Sequence, residues 1–293
     1  MKELELREIF ENYSKYLNED IQIKGWVKTL RDMKKFGFIE VNDGTNFKNI
    51  QVVFDNKLDN FEDVKSINIG AAISVRGELV ESPGGGQKFE IQSKEISVIG
   101  GSSPDFPVQK KKHSYEFLRE IAHLRPRTNT FHAVFKIRNN LSFAVHRFFQ
   151  KRNFVEVHTP LITGSDCEGA GEMFKVTTFD LKDVPKDSEG NIDYSEDFFA
   201  KETNLTVSGQ LEIETYASAF RKVYNFCPAF RAENSNTPRH LAELWMIEPE
   251  VAFADLDDIM NLAEDMLKYI FDYVLKNSKD ELEYLNKKAN YDI

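Results

Sequence analysis

Between Phe226 and Phe253 the chain reads FCPAFRAENSNTPRHLAELWMIEPEVAF, two apolar runs enclosing a polar segment. The segment carries Arg231, Glu233, Arg239 and His240, and the second run carries Glu243, Glu248 and Glu250. A strand, a polar loop and an antiparallel return strand is the simplest geometry for this pattern, and it hangs cations over a groove. A guanidinium stays charged and offers a planar fork of donors, which suits Arg231 and Arg239 to phosphate. The carboxylates ask for a different explanation. Glu248 and Glu250 stand two apart in an otherwise apolar run, so a strand places both on one side. Carboxylates on the inner face of a strand need partners. Charge content alone would make the stretch a solvated surface hairpin.

The chain that must position these groups has 293 residues, enough for two domains or one large one. A hydrophobic content of 41% with 24 Phe supplies a core, and no apolar run is long enough to span a membrane. The opening MKELELREIF is charged throughout and is expected to contain no signal peptide. Two cysteines, Cys167 and Cys227, make neither a disulfide framework nor a four-ligand zinc site, which fits a reducing cytoplasm. A net charge of −10 argues against a protein that coats nucleic acid generally. The acidic excess lies beyond residue 112, so the first part can still present a basic face.

From Asp20 to Gly100 come five short β-type runs, with NDG and SPGGG as turns. They predict a five-stranded barrel of the oligonucleotide-binding type, with Gly25 and Gly37 where strands bend. Lys24, Lys28, Arg31, Lys34 and Lys35 lie near Trp26, Phe36 and Phe38, and cations among exposed rings make a platform for single strands. Trp26 and Phe38 as ordinary barrel core is the alternative. Residues 101–130 read as a hinge, opening with GSSPDFPVQKKKHS, whose three lysines are either solvated or in reach of an RNA backbone. Val134, Ile137, Leu141, Val145 and Phe148 then form one helical apolar stripe, leading into the strand FVEVHTPLI. TGSDCEGAGEMFKV is a flexible loop without nucleotide-binding glycine spacing, residues 182–203 are a polar excursion, and LTVSGQLEIETYA is a strand entering a helix at Gln210.

The order FRAE, RHLAE, MIEPE resembles the second signature motif of class II aminoacyl-tRNA synthetases, and the helix, strand and Pro160 resemble the first. GWV, RD, FGFIEVNDG, IQVVF and GGGQKFEI resemble the anticodon-binding barrel of the aspartyl, asparaginyl and lysyl subgroup. The resemblance implies an α+β chain: a barrel over residues 1–100, the hinge, and a catalytic domain with an antiparallel sheet over 131–293. It assigns ATP to Arg231, Glu233, Arg239, His240 and Leu244, with Arg231 the catalytic charge at the α-phosphate. It assigns the amino acid to Glu168, Gln210 and Glu248, and the anticodon to Arg31, Phe38, Gln51 and Glu90. A homodimer through residues 134–161 also follows from it.

Ile213 stands where the aspartyl enzymes carry a lysine for the substrate carboxylate, and Glu248 where they carry aspartate. A longer carboxylate accepts from an amide NH2 and repels a carboxylate. SGQLEIETYA and ENSNTPRHLAELWMIEPEVAF also resemble the asparaginyl branch, so the implied substrates are asparagine, ATP with Mg2+, and tRNA(Asn), joined through an asparaginyl-adenylate. Pairing of Glu248 with Arg231 is an alternative, and not exclusive, use of that carboxylate. Two departures stand out. Leu244 occupies a position that is aromatic in the family, and the third family motif, with its arginines and acidic Mg2+ ligands, does not follow Phe253. The expectation is an incomplete copy of such an enzyme, with a natural short RNA-binding relative lacking aminoacylation, or an aspartyl enzyme, as alternatives.

Overall fold

The computed structural model describes residues 2–289 apart from Glu168, Ala170, Gly171, Asn236 and Pro238. The chain packs as two compact units, residues 1–140 with 274–293, and residues 141–273.

In the first unit, β1 (Lys2–Glu3) and α1 (Leu6–Tyr16) precede the barrel strands β2 (Asp20–Asp32), β3 (Phe36–Asn42) and β4 (Ile50–Asp55). A short helix, α2 (Phe61–Lys65), leads to β5 (Ala72–Glu81) and β6 (Phe89–Gly100). Sheet order is β1-β2-β3-β4-β6-β5, and a further β2–β5 pairing closes the ring. The long β2 makes closure possible: residues 20–26 pair with β5 and residues 26–32 with β3. Alternation along the strands sends Ile39, Val41, Ile50, Val52 and Phe54 inward. Gly37 is required by close approach rather than by a bend, since a Cβ there would lie 2.3 Å from the Phe54 ring. The helix α1 was hidden by its charge; Leu6, Ile9 and Tyr16 are its buried contacts with the barrel core.

The segment expected to be a plain hinge holds α3 (Tyr115–Glu120), capped by the Ser114 hydroxyl accepting from Phe117 N–H at 3.2 Å. Next, α4 (Asn129–Gln150) starts in the first unit and continues into the second. Its expected stripe is buried only in part: Val145 and Phe148 are core, whereas Val134 and Leu141 are exposed.

The second unit adds short strands β7 (Val155–Glu156), β8 (Ile162–Thr163), β9 (Lys175–Val176) and β10 (Thr203–Leu205), then α5 (Gln210–Phe220). Two nine-residue strands follow, β11 (Lys222–Phe230) and β12 (Glu243–Val251), antiparallel over their whole length, with β7 parallel on the far side of β11. After them comes α6 (Leu256–Asn277), whose last residues, with α7 (Lys279–Ala289), belong to the first unit. Tyr224, Phe226 and Ile247 on one face of the hairpin join Phe148, Phe149 and Ile270 in the core cluster of this unit.

Candidate active site

Because strand residues alternate, the hairpin's other face carries Asn225, Cys227, Ala229 and Arg231 from β11 and its continuation, opposite Glu248, Met246, Leu244 and Ala242. The sequence therefore puts a guanidinium and a carboxylate on one surface while the reverse surface is hydrocarbon. Arg231 is anchored as the ladder ends, its N–H donating to Ala242 O at 3.0 Å. The neighbouring Ala232 N–H donates to Glu172 O at 2.7 Å, which brings the loop before β9 onto the hairpin. Leu244, half-buried, faces Ala229 across the ladder.

Glu248 has a built environment. The Ser208 hydroxyl donates to its Oε1, and Gly209 N–H donates to its Oε2 at 3.2 Å. Ser208 Oγ in turn accepts from Gln210 N–H at 3.1 Å, where α5 begins. Gly209 is obligatory, because a Cβ there would meet Asn225 Nδ2 at 2.1 Å. Gln210 donates its amide to Glu214 Oε1 at 2.9 Å. Glu250, two residues along, has its carboxyl pushed up by burial and then by the charges of Glu214 and Glu248. The Cys227 thiol is pushed up by burial, a hydrogen bond from Thr159 opposing this, with Glu248 and Glu212 adding to it. Carboxylates therefore crowd this corner, Glu214 and Glu248 both disfavouring a charge on Glu250.

Ile213, singled out as the missing cation, is fully buried with Val157 and Val223 beneath α5. Glu233, Arg239 and His240 lie exposed in the loop, where His240 Nδ1 is 2.5 Å from the Thr237 hydroxyl. Glu168 lies outside the described residues. Among the described residues no group of three or more His, Cys, Asp or Glu is arranged to hold a metal ion. Ser208 and Asn225 went unnoticed in the sequence. Asn225 is completely buried opposite Glu248, which is a signal available to pattern reading, since amide side chains are rare on an inward strand position.

On the barrel, Arg31 sits opposite Phe38 in the β2–β3 register, its guanidinium 5.5 Å from the ring centroid. Gln51 donates to Glu90 Oε2 at 2.9 Å, and Glu90 also accepts from Ser82, Gln87 and Gln92. Glu90 is 3% exposed, so its acceptors are already committed. The four anticodon candidates form two contacting pairs. Not every cation expected on that platform is free: Lys24 pairs with Glu3 at 2.7 Å, and the Lys28 ammonium donates to Arg127 O at 2.8 Å.

Comparison with known proteins gives the same architecture. Residues 21–99 match an OB-fold nucleic acid binding domain, and residues 114–292 match tRNA synthetases class II (D, K and N). The asparagine–tRNA ligase of Acetivibrio thermocellus is 58% identical over 287 residues, 98% of this chain and 62% of that protein. That of Clostridium tetani is 56% identical over 293 residues, 100% of this chain and 63% of that protein. The asparaginyl-tRNA synthetase of Pyrococcus horikoshii, solved with asparaginyl-adenylate, superposes with a TM-score of 0.76 at 27% identity, covering 92% of this chain and 58% of that one. The chain therefore spans just over three-fifths of the length of these relatives. With an OB-fold barrel followed by an antiparallel hairpin that holds Arg231, Leu244 and Glu248 on one face, the chain belongs to the class II tRNA synthetases of the D, K and N group.

Proposed function

We propose that this chain carries the amino-acid and ATP recognition machinery for ligating asparagine to tRNA(Asn). Asparagine's carboxylate oxygen attacks the ATP α-phosphorus, the bond from that phosphorus to the bridging oxygen breaks, and pyrophosphate leaves. The ribose hydroxyl of the tRNA's terminal adenosine then attacks the acyl carbonyl of the adenylate and AMP departs. No protein nucleophile is needed, and the chain's contribution is positioning and charge stabilisation. Arg231 takes the α-phosphate, Leu244 lies against the adenine, and Glu233, Arg239 and His240 reach ATP from the loop. Gln210 and Glu168 hold the amino acid's backbone end. Mg2+ would accompany ATP as its counter-ion.

The observation that carries the reading is the engagement of Glu248 by Ser208 and Gly209 within an acidic corner. An ionised carboxylate has about four acceptor positions, so one held by two donors retains room for a side-chain amide NH2. The same corner opposes aspartate, whose carboxylate would meet Glu248 and Glu250 without a cation. Arg31, Phe38 and Gln51 read the anticodon, with the buried Glu90 orienting the Gln51 amide, and the exposed Val134 and Leu141 on α4 suit a homodimer contact. A cytoplasmic setting belongs to the same proposal; among the described residues no helix is long and apolar enough to cross a membrane. The test is pyrophosphate exchange into ATP. Exchange dependent on asparagine, and lost in Arg231→Ala, supports the reading; equal exchange with aspartate contradicts it.

A further inference from the structure

The first unit contains a cavity of about 860 Å³ whose lining includes Lys28, Lys110, Lys111, Lys112, Arg127 and Lys288. The only carboxylate in the lining is Glu40, which accepts from the Asn49 amide at 3.1 Å. Lys287, also at the rim, is neutralised by Glu283 at 2.7 Å. None of the six named cations forms a salt bridge among the described residues.

Three of them are held in place by neutral groups, Lys288 by donating to the Thr130 hydroxyl. The β2–β3 register shifts between Val27 and Thr29, so Lys28 is the extra residue of a bulge, a device that re-aims a side chain. Its ammonium donates to Arg127 O at 2.8 Å. The Arg127 guanidinium donates to Gly70 O at 2.9 Å and lies 4.9 Å from the Phe106 ring and 5.8 Å from Trp26. These contacts orient the charges without cancelling them. Burial, followed by the charge of Arg127, pushes the Lys28 ammonium down to about 8, and His132 is pushed down by burial, Lys28 and Lys136. Unneutralised charge in a partly desolvated cavity is costly, and an anionic ligand would relieve that cost.

We infer that this cavity is a binding site for a ligand carrying several phosphate groups, separate from the residues assigned to ATP and the anticodon. Its volume falls within the range of small-molecule sites. Lysine ammoniums serve phosphate as point charges, and six cations against one occupied carboxylate call for a multivalent anion rather than a single carboxylate. The phosphates are those of a free polyphosphate compound, since contact with an RNA backbone is already part of the proposed function.

The chain has two tryptophans, so Trp245→Phe leaves Trp26, beside Arg127, as the only indole. In that background the Trp26 emission is followed while inorganic tripolyphosphate, and separately a short single-stranded oligoribonucleotide, is added at low salt. Saturable change with tripolyphosphate supports the site, whereas a change with the oligoribonucleotide alone assigns the cations to RNA contact and overturns it. Affinity should fall about tenfold, the loss of a charge-assisted contact, in Lys28→Met and in the exposed-loop variant with Lys110, Lys111 and Lys112 all changed to alanine. It should also weaken as pH rises past about 8. The loop variant keeps the test decisive should Lys28→Met fold poorly. No saturable change with either ligand, or affinity unmoved in both variants, overturns the inference.

Discussion

Glu248 stands directly across the β11–β12 ladder from the fully buried Asn225, and its two carboxylate oxygens are held by Ser208 and Gly209 at the start of α5. On the proposed reading, selectivity depends on a carboxylate whose direction is set from a different element. Removing the Ser208 hydroxyl leaves Glu248 charged but less well aimed. Ser208→Ala should lower kcat/KM for asparagine in pyrophosphate exchange by roughly tenfold, about 1.5 kcal/mol for a hydrogen bond to a charged group. The KM for ATP should be unchanged.

Glu250 gives the acidic corner a pH signature. Its carboxyl is raised above the usual 4.5 by burial, Glu214 and Glu248, so the folded chain holds that proton more tightly than the unfolded chain. The resulting stability is present below about 4.5 and is lost as pH rises through the raised value. Glu250→Gln should therefore melt at a higher temperature than the parent at pH 7.5, with the difference disappearing near pH 4. Scanning calorimetry at the two pH values checks this.

Lys28 runs in the opposite sense. Its ammonium is depressed to about 8, so the unfolded chain binds the proton more tightly, and the penalty is fully present below pH 8. It is relieved as pH rises from about 8 towards the ordinary 10.5, with about 1.4 kcal/mol for each tenfold change in proton affinity. Lys28→Met should raise the melting temperature at pH 7, and by less at pH 10.

On the barrel, the Arg31 guanidinium lies 5.5 Å from the centroid of the Phe38 ring, which the proposed function makes the surface for a stacked base. Phe38→Ala should weaken binding of an anticodon stem-loop by roughly 1–3 kcal/mol, the contribution of one stacked base, and leave pyrophosphate exchange intact. Filter binding against the exchange assay separates the two effects.

The barrel strands and the hairpin were readable because each buries one face, so the apolar period of two is written into IQVVF and FGFIEV. Arg231, Leu244 and Glu248 on one surface follow from the same parity. Other parts depend on contacts that no local pattern announces. In α1 Leu6, Ile9 and Tyr16 are buried and Phe10 and Tyr13 pack against the barrel core, but Arg7, Glu8, Glu11 and Lys15 between them gave the segment the look of a charged leader. α7 is likewise polar, with Glu281 among its buried side chains. Ser208 meets Glu248 forty residues away. Lys28 sits among cations that suggested an RNA platform, yet a one-residue bulge turns it towards Arg127, ninety-nine residues on. Parity fixes which face a strand residue takes only while the register is unbroken.

The central claim is that an acidic corner around Glu248 selects a neutral amide beside a phosphate-binding arginine. Its most direct test is calorimetric binding of two non-hydrolysable sulfamoyl-adenosine analogues, one carrying asparagine and one aspartate, to the parent chain and to Glu248→Gln. The parent should prefer the asparagine analogue by about a hundredfold or more, in keeping with the several kcal/mol that an unpaired charge costs, and Glu248→Gln should lose most of that preference. Equal affinity of the parent for both analogues, or a preference untouched by the substitution, would contradict it.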